Sequence, residues 1–380
     1  MKFSLTEEQQ IFQESVDNFI SKEYHLDMRR SLMSTEEGFS RENWKKFSEL
    51  GWLGLTVDVN FGGAGGRVVD SAALMESLGK GLTLEPILST AVMCANIIQL
   101  SGTNTQKQAI LPKIANGDLL VAFGFAEPGS HYNLSHVKTK AIRKKSMFKL
   151  NGKKIVVLHA ASADKIIVSA RSAGDTIDFE GISLFILDKS TKGLTLNSYP
   201  TIDGQRASEL VLRDVEVNET NMIGHEGNSY STINDTIDRT IIAICAEAVG
   251  IMQVLINLTQ DYINTRHQFG QQIKNFQVLQ HKLVDMYMSY ELSKALTYRA
   301  ALIVDTAHSS VISLAASAAK AQIGKAGKLI GQEAIQLHGG MGMTDELAVG
   351  HYFKRLTMID TQFGNMAYHK QRFGQLRKTI

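Results

Sequence analysis

One acidic side chain among the 380 residues is out of keeping with its neighbours. Glu247 interrupts an apolar helical stripe that includes Ala243, Ile244, Ala248 and Ile251, and a carboxylate in such company needs a partner or a raised pKa. As a general base it could take a proton from a bound substrate, or it could address a polar ligand. As a structural group it would pair with an Arg or Lys of the next helix, and this account weighs more because ion-pair networks imitate active sites. Asp360 is a second carboxylate, expected in a structural role beside Lys354 and Arg355. His281, His338 and His351 lack a metal-ligand spacing such as H-E-x-x-H, so no metal is expected. The glycine-rich Phe61-Gly-Gly-Ala-Gly-Gly66 has neither a following Lys-Ser/Thr pair nor a G-x-G-x-x-G helix start. It reads as a turn between helices rather than a phosphate loop. The basic run Arg143-Lys144-Lys145 reads first as a solvated hairpin loop and second as a contact for a ligand phosphate.

Three zones of different hydrophobic period must position these groups. Thr6-Glu7-Glu8-Gln9 is a capping-box start, followed by Ile11, Phe12, Val16, Phe19 and Ile20 at helical spacing. Further helices are expected around 41–50, 69–78, 89–100 and 106–114. From Leu119 the period shortens to eight strands with no helix between them, which predicts an antiparallel sandwich or barrel. Asn151-Gly152 predicts a hairpin turn, because a type I′ turn needs positive φ at both central residues. After Glu226 the helical period returns, with Ile233, Ile237, Ile241, Ile244, Ala248, Ile251, Leu255, Leu258 and Tyr262 as a buried stripe. Long helices over 276–304 and 311–337 complete an antiparallel bundle. The fold class is therefore α+β: an N-terminal helical domain (1–118), a middle antiparallel β domain (119–225) and a C-terminal four-helix bundle (226–380).

Composition sets wider bounds. Apolar residues make up 44% of the chain, and 40 Lys+Arg against 38 Asp+Glu leave a net charge of +2. Nothing global points to nucleic acid or to an acidic membrane. Cys94 and Cys245 sit among apolar residues as small hydrophobes, which fits a reducing, cytoplasmic compartment. No signal peptide and no run of eighteen apolar residues is read, so no membrane partner is expected.

The α–β–α order carries specific motifs: Arg266-His-Gln-Phe-Gly270 with Gln277, Ala334-Ile-Gln-Leu-His-Gly-Gly-Met-Gly342, and Ala126-Glu-Pro-Gly129. Together they resemble the acyl-CoA dehydrogenase family across essentially the whole chain. The stretch Gly350-His-Tyr-Phe-Lys-Arg-Leu-Thr-Met-Ile-Asp360 is most similar to the small subunit of pimeloyl-CoA dehydrogenases and related two-subunit enzymes. The resemblance implies FAD as cofactor. Arg266 would reach the pyrophosphate of an FAD held mainly by the adjacent subunit, an anion its fork of donors suits, and Phe269 would pack near the adenosine. Gln336, Gly339 and Gly340 would meet the adenosine end of the same cofactor, where glycine lets backbone approach closely. Without a cofactor, Arg266 is a solvated helix-end cation and the two glycines terminate a helix.

The resemblance also marks departures. The family's reaction removes the α-proton of an acyl-CoA with a carboxylate base while the β-hydride passes to the flavin. The two positions at which members carry that base hold Phe363 and Thr240 here, and neither ionises usefully at neutral pH. Glu247, seven residues after Thr240 and about 10 Å along the axis, is the displaced candidate. The flavin-cradling Thr of the Glu-Pro-Gly motif and the following Gly-Ser become Phe125-Ala126 and His131-Tyr132. The stacking Trp-Ile-Thr becomes Val156-Val157-Leu158, and a Thr and Gln become Asn365 and Ala367. Groups lent to a neighbour are kept and groups holding the chain's own flavin are replaced. This implies the smaller partner of a hetero-oligomer, with acyl-CoA of fatty acid, dicarboxylic or steroid type as substrate, a sister subunit, and an electron-transfer flavoprotein or similar acceptor. The rivals are an inert scaffold completing a partner's FAD site, and a flavin oxidase or monooxygenase on the same fold.

Overall fold

A computed structural model describes residues 5–378. The N-terminal region forms α1 (Glu7–Glu23), α2 (Leu26–Ser34), α3 (Arg41–Glu49), α4 (Val68–Gly81), a π-helix (Ile87–Cys94) running into α5 (Ala95–Ser101), and α6 (Asn104–Ala115). Strands follow: β1 (Val121–Gly124), β2 (Lys140–Lys144), β3 (Met147–Leu158), β4 (Lys165–Arg171), β5 (Ile182–Asp188), β6 (Leu194–Pro200), β7 (Arg206–Asn218) and β8 (Met222–Ile223). The C-terminal region is α7 (Tyr230–Thr265), a short hairpin β9 (His267–Gln268) and β10 (Gln271–Gln272), then α8 (Gln277–Ile303), α9 (Ser309–His338), α10 (Ala348–Thr361) and α11 (Met366–Leu376). Two compact units result. One contains the segments up to Ser31, Val68–Thr83 and Ile241 onward; the other contains Leu32–Arg67 and Leu84–Thr240.

In the first unit, α1 starts at the expected capping box: the Gln9 amide donates to Thr6 Oγ1 at 3.3 Å and the Thr6 amide to Gln9 Oε1 at 3.0 Å. The Gln9 amide side chain donates to Asp70 at 2.6 Å, and Lys80 pairs with Asp17 at 2.6 Å, tying α1 to α4. α4 and α7 meet backbone to backbone. A Cβ added to Gly79 would lie 2.2 Å from the Glu247 carbonyl oxygen, and one added to Gly250 would lie 1.9 Å from that of Glu76. By length and composition α7 is apolar enough to span a membrane, but 78% of its apolar window is buried within the protein. Its hydropathy is that of a core helix.

The second unit is built on a sheet ordered β6-β7-β3-β2-β4-β5-β8, with β1 also on β4. The expected antiparallel order holds for most pairs, but β1 and β2 both pair with β4 in parallel. β1 runs beside Lys165–Val168 and β2 meets Arg171, so the two share one side of β4. Phe148 and Phe185 pack with ring centroids 4.9 Å apart in a core completed by Leu150, Ile166, Val168 and Leu210. One sequence expectation fails here. Asn151-Gly152 is not a turn: it lies within the twelve-residue β3, where the register to β7 shifts between Leu150 and Gly152. Glycine is needed because Thr139 crosses there; a Cβ would sit 2.3 Å from its Oγ1. The hairpin turns instead at Lys145-Ser146, with Lys145 at φ 57°. The basic run does lie at an exposed hairpin as expected, although Arg143 is not free there. Arg143 pairs with Glu219 at 2.9 Å and Glu226 at 2.7 Å and lies over the Phe148 ring.

Candidate functional site

Within the first unit, the two motifs expected to meet a cofactor come to one end of the bundle. Tyr262, on the last turn of α7, stacks on His338 at the end of α9 with centroids 4.5 Å apart. His338 is buried and its Nδ1 contacts the Ala334 carbonyl at 2.8 Å. This contact brings Arg266, four residues beyond Tyr262, to the same end as Gln336, Gly339 and Gly340. Arg266 and Gln336 are both exposed, and neither side chain has an ion pair or hydrogen bond among the described residues. Gly339 ends α9 with φ 60°, a conformation glycine favours. Gly340 has neither positive φ nor any atom within 4 Å of an added Cβ. Nothing among the described residues requires glycine at 340.

Phe269 stands on the tip of the β9–β10 hairpin at φ 52°, followed by Gly270 at φ 79°. It is 89% exposed, touching Phe276 edge-on at 6.0 Å. A large ring in a left-handed turn position where Asn or Gly is ordinary leaves both its conformation and its exposure unexplained within one chain. Met341 and Met343 are exposed on the adjoining turn.

The acidic candidate has a structural partner. Arg355 donates to both oxygens of Glu247, from Nε at 2.6 Å and Nη2 at 2.8 Å, with both side chains buried. The partner comes from α10 rather than from the next helix. The bidentate guanidinium occupies both Glu247 oxygens. Thr240 is fully buried and its hydroxyl donates back to the Thr236 carbonyl at 2.8 Å. Asp360 has a structural role, made through the backbone: its carboxylate accepts the Met366 amide at 3.0 Å, while Lys354 lies 3.4 Å from Asp345.

Phe363 occupies the α10–α11 turn at φ 58°, with Gly364 at φ 115°. The Phe363 carbonyl accepts from His369 Nε2 at 3.1 Å, and the Gly364 carbonyl from Lys320 Nζ at 2.6 Å. Sequence reasoning missed both donors. Burial pushes the Lys320 ammonium down to about 8. Burial, with Lys320 nearby, takes His369 down to about 3. Lys320 carried the signal that singled out Glu247, a lone charge within Ala-Ala-Lys-Ala. His369 had none.

In the second unit, the segments expected to cradle the chain's own flavin are braced although their side chains differ. Lys154, fully buried, donates to Glu127 at 2.6 Å and to Ser169 at 3.0 Å. Burial would raise the Glu127 carboxyl, but Lys154 and the amides of Lys138 and Thr139 hold it below its usual value. The Ile155 amide donates to the Ala126 carbonyl at 2.9 Å, joining two of the segments. Val157 and Leu158 are buried, while Val156 is half-exposed at φ 53°, a costly conformation for a β-branched residue. No hydroxyl, amide or indole is offered at 156–158 to bond a flavin edge. Among the described residues no group of three potential metal ligands is assembled.

Comparison with known proteins agrees with this architecture. The families described as acyl-CoA dehydrogenase N-terminal, middle and C-terminal domains match residues 6–118, 122–215 and 230–374. A probable acyl-CoA dehydrogenase of Bacillus subtilis, YngJ, is 33% identical with 95% of each chain covered. A short-chain-specific acyl-CoA dehydrogenase of Clostridium acetobutylicum is 32% identical over 97% of this chain and 98% of that one. The structure of butyryl-CoA dehydrogenase from Megasphaera elsdenii superposes with a TM-score of 0.90 at 28% identity, covering all of both chains. The chain belongs to the acyl-CoA dehydrogenase family, flavin-dependent oxidoreductases that act on CH–CH bonds with FAD as cofactor.

Proposed function

We propose that this chain is the smaller subunit of a hetero-oligomeric acyl-CoA dehydrogenase, similar to the pimeloyl-CoA dehydrogenase small subunit, with domains at 1–118, 119–225 and 226–380. In this reading it lends Arg266, Phe269, Gln336, Gly339 and Gly340 to an FAD held by a sister chain. The observation that carries it is the bundle end itself: an unpaired cation, an 89% exposed ring and a glycine without internal cause, gathered at one place. A pyrophosphate and an adenosine fit that set of donors and open backbone. The chain's own cradle does not fit an isoalloxazine in the family manner, since Val156, Val157 and Leu158 offer it no polar side chain. When bound, FAD accepts the hydride of the dehydrogenation. This chain's part is to fix the cofactor's anionic and adenosine end and to exclude water there with Phe269. The α-proton goes to a carboxylate of the sister chain, because Phe363 and Thr240 cannot take it and Glu247 is held by Arg355. The substrate is an acyl-CoA of fatty acid or steroid type, the acceptor an electron-transfer flavoprotein or a similar carrier, and the location cytoplasmic.

A second reading, an inert scaffold without a working site of its own, is favoured by the same absence of an acid at 240 and 363. One preparation separates the readings. The chain made alone should be colourless, and should retain flavin and support dehydrogenation only when co-produced with a longer homologue that carries the base. A yellow, active homo-oligomer would end the lending model. Flavin retention without any contribution to turnover would leave the scaffold, and oxygen consumption in place of acceptor reduction would point to an oxidase or monooxygenase.

A further inference from the structure

The turn joining α10 to α11 holds an aromatic residue in the left-handed region, with Gly364 following at φ 115°. Glycine at 364 has a local cause: an added Cβ would lie 2.4 Å from the Tyr368 ring and 2.6 Å from His369 Nε2. No such necessity explains Phe363. Residues in sparsely populated backbone regions persist where their surroundings over-determine them, and here the surroundings are identifiable. Lys320 Nζ, from α9, donates to the Asp360 carbonyl at 3.0 Å and to the Gly364 carbonyl at 2.6 Å. His369 Nε2, from α11, contacts the Phe363 carbonyl at 3.1 Å. Asp360, from α10, accepts the Met366 amide. Every one of these contacts is to main chain.

The choice of lysine needs a cause. Its side chain is 0% exposed and has no ion pair among the described residues; the Asp360 carboxylate, which accepts the Met366 amide, favours the ammonium only from beyond salt-bridge distance. An alkyl side chain would fill the same volume without the cost of burying an amine. The groups facing it are Cys245 from α7, Asp360 from α10 and His369 from α11, with Arg372 beyond His369. Burial keeps the Cys245 thiol up at about 12 and His369 neutral, so neither supplies a counter-charge near neutral pH. What the amine obtains in exchange is two carbonyl oxygens of one turn.

We propose that Lys320 is a positioning residue, whose buried amine, assisted by His369, fixes the path of the turn so that residue 363 keeps its left-handed presentation. Its meaning for catalysis rests on the reading of 363 as a base position of the family. The positioning itself does not.

Amide hydrogen exchange of the full-length chain tests it. In Lys320→Met the carbonyls of Asp360 and Gly364 lose their donor, so peptides covering 360–366 should exchange about tenfold faster or more, with α7 and α8 unchanged. Lys320→Arg, which keeps donors, should recover part of that protection. A pH series on the unaltered chain adds a readout that packing alone would not move. Opening the turn hydrates the amine and raises its proton affinity, so deprotonation favours the closed turn. Above a pH of about 8, exchange in 360–366, corrected for base catalysis, should slow, and the step should vanish in Lys320→Met. Uniform loss of protection across the bundle, or a pH step shared by every helix or by none, would overturn the proposal. The pH series needs no variant and decides the matter if Lys320→Met does not fold. A chain that binds its own flavin tightly would end the lending model and leave these results unaffected.

Discussion

Removing Arg355 and removing the Glu247–Arg355 pair are different experiments. Arg355→Met strands Glu247 as an uncompensated buried charge, and should cost about 3–5 kcal/mol in urea unfolding. The double change Glu247→Leu with Arg355→Met removes both charges and should recover most of that loss. In the complex with its sister chain, Glu247→Gln strands the Arg355 charge and should lower stability, yet leave kcat per folded enzyme undiminished; a large fall in kcat of the folded complex would restore Glu247 as a base. Half of this was legible beforehand. An acid in an apolar stripe announces a buried carboxylate, but its partner lies 108 residues further on and was expected on the next helix. Sequence shows that a charge needs a counter-charge; only the fold chooses which.

Among the elements, the helix ends and periods were the most readable, since a capping box and a 3.6-residue stripe are local properties. Asn151-Gly152 shows where local reading fails. The dipeptide suits an open turn, but the crossing of Thr139 over β3 makes a glycine necessary inside the strand, and that crossing is non-local. The π-helix over Ile87–Cys94 was read as ordinary helix because residue types do not reveal an i→i+5 ladder. The α4–α7 contact makes a clear prediction: Gly250→Ala pushes a methyl onto the Glu76 carbonyl and should destabilise the chain by ~1–3 kcal/mol, measured by thermal or denaturant unfolding. The β9–β10 hairpin makes another. Phe269→Asn suits the left-handed position and should leave the isolated chain at least as stable. In the co-produced complex the same change should weaken flavin retention, read as the flavin-to-protein absorbance ratio after gel filtration. Unchanged retention would remove Phe269 from the cofactor-lending set.

For the molecule as a whole, two buried bases each make stability rise with pH, in separate windows. The folded value of His369, about 3, lies below the ordinary imidazole value of 6.5. Below pH 6.5 the unfolded chain therefore binds the extra proton, and stability is lost progressively as pH falls towards 3. The folded value of Lys320, about 8, lies below 10.5, so stability rises between those values as the unfolded chain again holds more protons. Each pH unit of either window corresponds to ~1.4 kcal/mol at most. Denaturation midpoints from pH 3 to 10 should show both rises, with His369→Gln flattening the acid one and Lys320→Met the alkaline one. The grip on the α10–α11 turn also bears on how such a chain can change over generations. A clamp that holds carbonyl oxygens grips the loop without reading the side chain at 363, so a substitution there that tolerates positive φ can change the group presented while the loop stays in register. What the turn presents can thus change more freely than the path it follows.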